Sequence, residues 1–372
     1  MTNIKKSPKL TLIFRYFVLL LLIFLLSVPL AFTAREECKD STDLAAVLPE
    51  SVCTYLIENK PVSASTLLSL TQLFTLIILA SNWNLTGGIT GYIDFGHSVF
   101  FGMGAFATAL LMGSSRWEEW PAIISDWNFW PAMIVGALIS SFLALLIGAA
   151  TLRLKGPYFS IAMLGTFVAV REIIRVSSTI AGGGLGMNLP IILNRPFFYY
   201  FSLIMAVGVL ILMWWIRRSE FGATLVAIRE DEIGAEMRGI NTTLHKITAF
   251  WIAAFLTAMV GGMWAYQNTF IDPDIVFNTT RNVDMVMMSM LGGLGTVAGP
   301  LIGATTLYYL RDFVWANSLL YHQIFEGILL IIIVLFVPDG IMGMFDKENN
   351  GTNLNKLFTK WFPKKDQEDG AQ

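Results

Sequence analysis

The sequence predicts an all-α polytopic membrane protein of about ten transmembrane helices, some of them short or broken. Three observations point there. Charged residues make up 14% of the chain and hydrophobic ones 55%, against about 25% charged in an ordinary soluble domain. Apolar runs recur from end to end, and a bilayer core of about 30 Å needs roughly 20 mostly apolar residues per helix. The period-two alternation of a membrane barrel is absent.

The first element is an apolar run from Phe17 to Phe32, preceded by Lys5, Lys6, Lys9 and Arg15. A signal peptide has this order of charge and apolarity, but the run is long and a cut after Ala34 would place the bulky Phe32 at the −3 position. It reads as an uncleaved first helix with a cytoplasmic start, giving a first region 1–33. Residues 34–64 then form an acidic outer loop holding Cys38 and Cys53. An oxidising outer compartment would permit these two to pair; two free thiols are the alternative.

Further apolar segments follow at about 65–82, 91–112, 131–152, 158–180, 198–216, 247–267, 276–292, 297–314 and 321–337, inside a transmembrane domain spanning 65–345. Trp117, Trp120, Trp127 and Trp130 gather between the third and fourth helices, as an interfacial belt at headgroup level does. The pair 276–314 is ambiguous. Arg281 and Asp284 interrupt it, and its Gly-rich centre also suits a re-entrant pair of short helices. The bias of Lys and Arg toward the cytoplasm favours counting the pair as two passes. With ten passes, 16 of the 25 basic residues fall inside and both termini are cytoplasmic. The polar, basic segment 346–372 reads as a disordered cytoplasmic tail.

The longest internal cytoplasmic loop, 217–246, contains the stretch AIREDEIGAEMRGI, in which six of fourteen residues are charged. Val226, Ile233, Met237 and Ile240 share a helical face, so the loop is expected to carry one short amphipathic helix lying across the inner surface. A solvated connector or a helix on lipid headgroups is the bland alternative. The acidic-leaning charge suits anionic lipid poorly and suits a soluble partner protein better.

Composition excludes several classes. The net charge of −2 names no partner. No basic tract interleaved with aromatics supports nucleic-acid binding. The cysteines lack CxxC spacing and a neighbouring histidine, which argues against zinc. A phosphate-binding loop needs GxxxxGK[ST], and no Gly-Lys pair occurs. The Gly182–Gly186 run is an outer turn. No HExxH or nucleophile constellation appears among three histidines, His97, His245 and His322, so no enzyme and no resident cofactor is expected, and any ATP is bound by another chain.

Several residues stand out against the apolar background. Asp94 and His97 lie near the inner end of a helix, where an aspartate ordinarily caps and offsets the helix dipole; His97, surrounded by apolar residues, is the more open candidate. Arg171, Glu172 and Arg175 fall in an apolar helix, where each ionised group at the bilayer centre costs about 2.5–3.5 kcal/mol. They must pair, snorkel or face water; Arg171 and Glu172 are candidates for an outer gate. Gly295, Gly299 and Gly303 repeat every four residues, which on a helix makes a groove for close backbone approach, and Pro300 would break the ladder there.

Four motifs together carry a family resemblance: GGITGYIDFGHSVFFGMGAF (Gly87–Phe106), LRLKGPYFSIAMLGTF (Leu152–Phe167), RSEFGATLVAIREDEIGAEMRGIN (Arg218–Asn241) and MLGGLGTVAGPLIGA (Met290–Ala304). In order and spacing, over about Leu67–Gly343, the chain resembles Liv-type permease subunits of ABC importers for branched-chain and other neutral amino acids, the LivM branch in particular, with cyanobacterial neutral amino-acid importers nearest. The outer loop with Cys38 and Cys53 is longer than that family's.

The resemblance implies an ABC permease-like bundle in a bacterial inner membrane. It implies two ATPase subunits, a second homologous permease and an extracytoplasmic solute-binding protein as partners. The charged stretch would be the coupling helix seated in the ATPase, with Glu230, Asp231, Glu232, Gly234, Glu236 and Gly239 as its residues. His97, Arg171, Glu172, Gly295, Gly299 and Gly303 would lie on the translocation path or gate. Urea or short amides are the alternative substrates, and an ion-coupled secondary transporter, which would show paired repeats with unwound midplane helices, is the alternative mechanism.

Overall fold

The computed structural model describes residues 25–29, 63–113, 127–178, 182–189, 195–317, 324, 327, 328, 331 and 340–345. Cys38 and Cys53, Trp117 and Trp120, the tail 346–372, and most of the segments predicted at 17–32 and 321–337 lie outside these residues, as does the boundary expected at 33/34. Twelve α-helices follow: α1 (Ala64–Asn84), α2 (Ser98–Leu111), α3 (Phe129–Thr151), α4 (Pro157–Val176), α5 (Arg195–Arg218), α6 (Glu220–Glu230), α7 (Glu232–Met237), α8 (Thr242–Asn268), α9 (Pro273–Val276), α10 (Thr279–Gly292), α11 (Gly299–Asn317) and α12 (Gly340–Phe345). A single two-residue antiparallel pairing joins Met187–Asn188 to Phe270–Ile271 among the described residues.

Eight of the ten predicted segments thus have a described helix. Among the described residues, four helical stretches are long and apolar enough to cross a membrane: Ala64–Ile89, Phe129–Thr151, Arg195–Arg218 and Thr242–Asn268. At 1.5 Å per residue, the 14-residue α2 and α10 extend only about 21 Å each. The chain is an all-α membrane protein that combines long helices with short ones.

The described residues fall into two compact units, Met1–Thr75 with Pro190–Gly208, and Leu76–Leu189 with Val209–Gln372. In the first, the Tyr199 ring stands edge-on to Phe74 at 5.5 Å, and the hydroxyls of Tyr199 and Tyr200 donate to the carbonyls of Leu25 and Leu26 at 2.8 and 3.1 Å. The buried phenol of Tyr199 so finds a partner that the apolar surroundings do not supply.

The second unit is built on α2, α3 and α8, which pack through small residues. A methyl group at Gly104 would sit 2.2 Å from the Ala258 carbonyl oxygen, one at Gly261 2.0 Å from that of Phe101, and one at Gly136 2.8 Å from Thr108 Oγ1. Backbones this close gain dispersion contact that larger side chains would forbid. α10 and α11 form a second close pair, where Gly303 faces the Met288 carbonyl and Gly292 that of Gly299.

Three expectations are corrected. The helix expected over 91–112 begins only at Ser98, because Gly91 takes a φ of +83° and the chain to His97 is irregular. The single amphipathic helix expected through Val226–Ile240 is two helices, because Asp231 is extended at φ −155°, ψ 101°. Gly295, Gly299 and Gly303 do not share one helical ridge: Gly295 lies in the α10–α11 turn at φ +73°. Pro300 is the second residue of α11, where its missing N–H was never needed by the ladder.

Within the ambiguous pair, Asp284 and Arg311 form a two-pronged ion pair joining α10 to α11, with Nη1 to Oδ2 at 2.8 Å and Nη2 against Oδ1. Arg281 stacks over the rings of Phe101 and Trp264, 4.1 and 5.3 Å from their centroids. Of the charges that made this stretch look unlike a span, Asp284 is paired with Arg311 and Arg281 lies against aromatic faces.

Candidate functional site

α6 and α7 form a short charged hairpin. Ser219 caps α6, its hydroxyl accepting from the Gly222 N–H at 3.2 Å. Asp231 ends α6 and opens α7, accepting from the Gly234 N–H at 3.0 Å. A side chain at Gly234 would begin 2.4 Å from the Asp231 carboxylate, so glycine lets the carboxylate sit close over the turn. Gly239 ends the segment at φ +83°, a backbone that glycine adopts without strain. Asn241 then caps α8 through the Leu244 N–H at 3.1 Å.

The hairpin presents an apolar pair outward. Ile233 is 65% and Met237 86% exposed, four residues apart on α7 and so on one face. Glu230, Asp231 and Glu236 around them are exposed as well. Glu236 Oε1 accepts from the Thr242 hydroxyl at 2.8 Å, tying the end of α7 to the start of α8.

Glu232 behaves differently. It turns inward to Lys246, which is 3% exposed. The three ammonium protons of Lys246 are all used: on Glu232 Oε1 at 2.7 Å, the Tyr92 hydroxyl at 3.0 Å and the Leu152 carbonyl at 3.1 Å. Tyr92 in turn donates to Glu232 Oε2 at 2.5 Å, and the ammonium lies 4.7 Å from the centre of its ring. Burial pushes the Glu232 carboxyl up, but hydrogen bonds from Lys246 and Tyr92 and the charges of Lys246 and Lys155 outweigh it, leaving the group below the ordinary carboxylate range. Tyr92, Leu152 and Lys246 come from three separate segments, so one saturated polar hub pins the hairpin to the end of α3, the start of α8 and the stretch before α2. Beside it, a cleft of about 740 Å³ is lined by Thr90, Tyr92, Phe95, Ser160, Arg229 and Glu232, among others.

A second polar cluster lies in the packed interior. His97 is fully buried; its Nδ1 is 3.0 Å from Asp94 Oδ2 and its Nε2 3.0 Å from Thr257 Oγ1. Asp94 also accepts from the Gly96 N–H at 2.7 Å. Asp94 therefore holds the histidine and the turn before α2 rather than acting as a plain helix cap. The cap of α2 comes from afar, with Asn282 Oδ1 accepting from the Ser98 N–H at 2.7 Å.

The candidate gate residues sit elsewhere, on α4. Glu172 is 44% exposed and lies between Arg171 at 3.1 Å and Arg175 at 3.8 Å. Gly299 and Gly303 serve the α10–α11 contact. The structure thus brings Glu232 to Lys246 and His97 to Asp94, and it leaves Glu172 apart from both. Sequence reasoning missed Tyr92, Lys246, Thr257 and Asn282. Lys246 carried one signal: its neighbours Ile247, Ala249 and Phe250 make a helix face too apolar for a solvated lysine.

The branched-chain amino acid transport system permease component family matches residues 65–334. The LivM permease protein of the high-affinity branched-chain amino acid transport system of Salmonella typhimurium is 25% identical over 303 residues, covering 72% of this chain and 68% of that protein. The Escherichia coli K12 LivM protein is 24% identical over the same shares. The LivH permease protein of Salmonella typhimurium is 23% identical over 287 residues, 72% of this chain and 91% of its own. No solved structure matches.

Proposed function

The chain belongs to the branched-chain amino acid transport system permease family, and from that premise we propose that it is the membrane subunit of an ATP-driven importer of branched-chain and other neutral amino acids. The observation that carries this is the family match over 65–334, which includes every helix from α2 to α10 and the charged hairpin between α5 and α8.

In this reading the chain makes about ten passes, with both termini and the hairpin in the cytoplasm. A second homologous permease completes the pathway, two ATPase subunits dock below, and a solute-binding protein delivers substrate from outside. The α6–α7 hairpin is the coupling element. Its exposed Ile233 and Met237, ringed by Glu230, Asp231 and Glu236, offer an apolar knob with an acidic rim, the pattern of an anchored interface core. Glu232 supports the knob from behind through Lys246, so its part in coupling is to fix the hairpin rather than to touch the ATPase. Selectivity rests largely with the binding protein.

The test is reconstitution of the chain with its co-encoded partners in liposomes, scoring ATP-dependent uptake of labelled leucine. Ile233→Asp with Met237→Asp is expected to abolish uptake and loosen the ATPase while the permease stays inserted. Uptake by the chain alone, without an ATPase, would overturn the proposal.

A further inference from the structure

The hairpin has a second anchor besides the Lys246 hub. α1 does not end as an α-helix but widens into a π-helical turn over Leu85–Ile89, a rare form that concentrates at functional sites. The Leu85 carbonyl takes both the N–H and the hydroxyl of Thr90, at 3.2 and 2.8 Å. The Gly88 carbonyl is left for Arg229, whose Nη1 donates to it at 2.9 Å. The same residue's Nε and Nη2 hold Glu230 Oε1 at 3.1 and 2.6 Å.

Two glycines make room for this arginine, and a third lets the two backbone segments beside it meet. A methyl group at Gly91 would meet Arg229 Cγ at 2.5 Å, and one at Gly295 would meet Arg229 Nη1 at 2.6 Å. A methyl at Gly88 would strike Asn84 Oδ1 at 1.9 Å and the Gly295 nitrogen at 2.6 Å. Gly91 and Gly295 also hold φ of +83° and +73°, which other residues adopt only under strain. Asn84 joins the two walls of the socket, accepting from the Gly295 N–H at 2.9 Å and donating to the Thr296 carbonyl at 2.8 Å. Arg229 therefore rests where the π turn of α1 meets the α10–α11 turn.

The two anchors differ in what they hold. Lys246 ties Glu232 to the Leu152 carbonyl at the end of α3 and to Tyr92 in the stretch before α2. Arg229 ties the preceding turn of the hairpin to two irregular backbone segments, which change shape more readily than regular helix. Building on the importer reading above, we infer that Arg229 is the positioning residue through which displacement of the hairpin reaches the α1 π turn and the α10–α11 turn. The guanidinium fork suits this task, since it can grip Glu230 and a backbone carbonyl at once.

The experiment uses the complete transporter in liposomes and reads amino acid moved per ATP hydrolysed above the basal rate. Arg229→Ala is expected to lower that ratio at least tenfold, Arg229→Lys to give an intermediate value, and Arg153→Ala, on the exposed turn after α3, to leave it unchanged. A merely structural loss would reduce hydrolysis and uptake together and leave the ratio intact, and that result would overturn the inference. Should Arg229→Ala fail to assemble, Arg229→Lys decides: a ratio equal to the parent's overturns it as well. Failure of the importer reading is distinguishable, because the parent transporter would then show no ATP-dependent uptake at all.

Discussion

Two glutamates, each beside two basic side chains, show how differently one charge pattern can act in this molecule. Glu232 and its partner Lys246 are 15% and 3% exposed. Glu172 and its partners Arg171 and Arg175 are 44%, 27% and 50% exposed. Lys246 is enclosed, so every proton of its ammonium must find a protein acceptor, and does. Around Glu172 the packing is open, and the arginines hold the carboxylate at 3.1 and 3.8 Å. The lesson is that a charge in an apolar sequence signals structure when it is enclosed and tolerance when its side chain can reach solvent.

The strongest challenge to this contrast is Lys246→Met. It leaves Glu232 enclosed without a counter-charge, and breaking a buried pair in this way costs about 3–5 kcal/mol. Thermal unfolding in detergent should show a large drop, and Glu232→Gln added to Lys246→Met should recover much of it. Parent-like stability of the single variant would mean that the hub is wet.

Next in size comes a pair of glycines. Gly303→Ala drives a methyl to 1.8 Å from the Met288 carbonyl, while Gly165 on α4 has nothing within 4 Å. The first should cost about 1–3 kcal/mol by overpacking; the second should be neutral or stabilising by up to about 1 kcal/mol, the helix preference for alanine. The same melting measurement compares them.

A smaller effect follows from acid. The Glu232 carboxyl titrates below its ordinary value in the folded chain, so its contribution is complete above the unfolded value of about 4.3 and is lost as pH falls through the depressed folded value. Hydrogen exchange of residues 230–246, corrected for intrinsic rates, should stay flat from pH 7 to 5 and rise only below about 4.3. A rise near pH 6 would contradict the pairing.

Least is expected of Glu172→Gln, at or under about 1 kcal/mol for an exposed pair. If melting is unchanged while uptake falls tenfold, Glu172 acts on the translocation path and the α4 cluster is more than surface charge.

Much of the fold was legible in the residues. Segments of about twenty apolar residues have one low-energy state in lipid, so α1, α3, α5 and α8 followed from composition and length. The charged hairpin was legible as an interruption, and its glycines as backbone punctuation. Its division at Asp231 was not, because the side chain that breaks the helix also caps the next, and periodicity alone favoured one continuous face. The α2 start was missed for a related reason: its cap, Asn282, lies 184 residues away.

What the sequence by itself determined is the apolar, helical, multi-span character of the chain, the place of its polar hairpin, and the motifs that mark its family. These are local or additive properties, summed residue by residue along the chain. Only the tertiary structure decided which charges are enclosed, that Glu232 turns in to Lys246 while Ile233 and Met237 turn out, and that Arg229 enters a socket where two glycines make room for it. Those outcomes depend on contacts between segments far apart in sequence, and burial, which sets the strength of every such contact, exists only once the segments have packed.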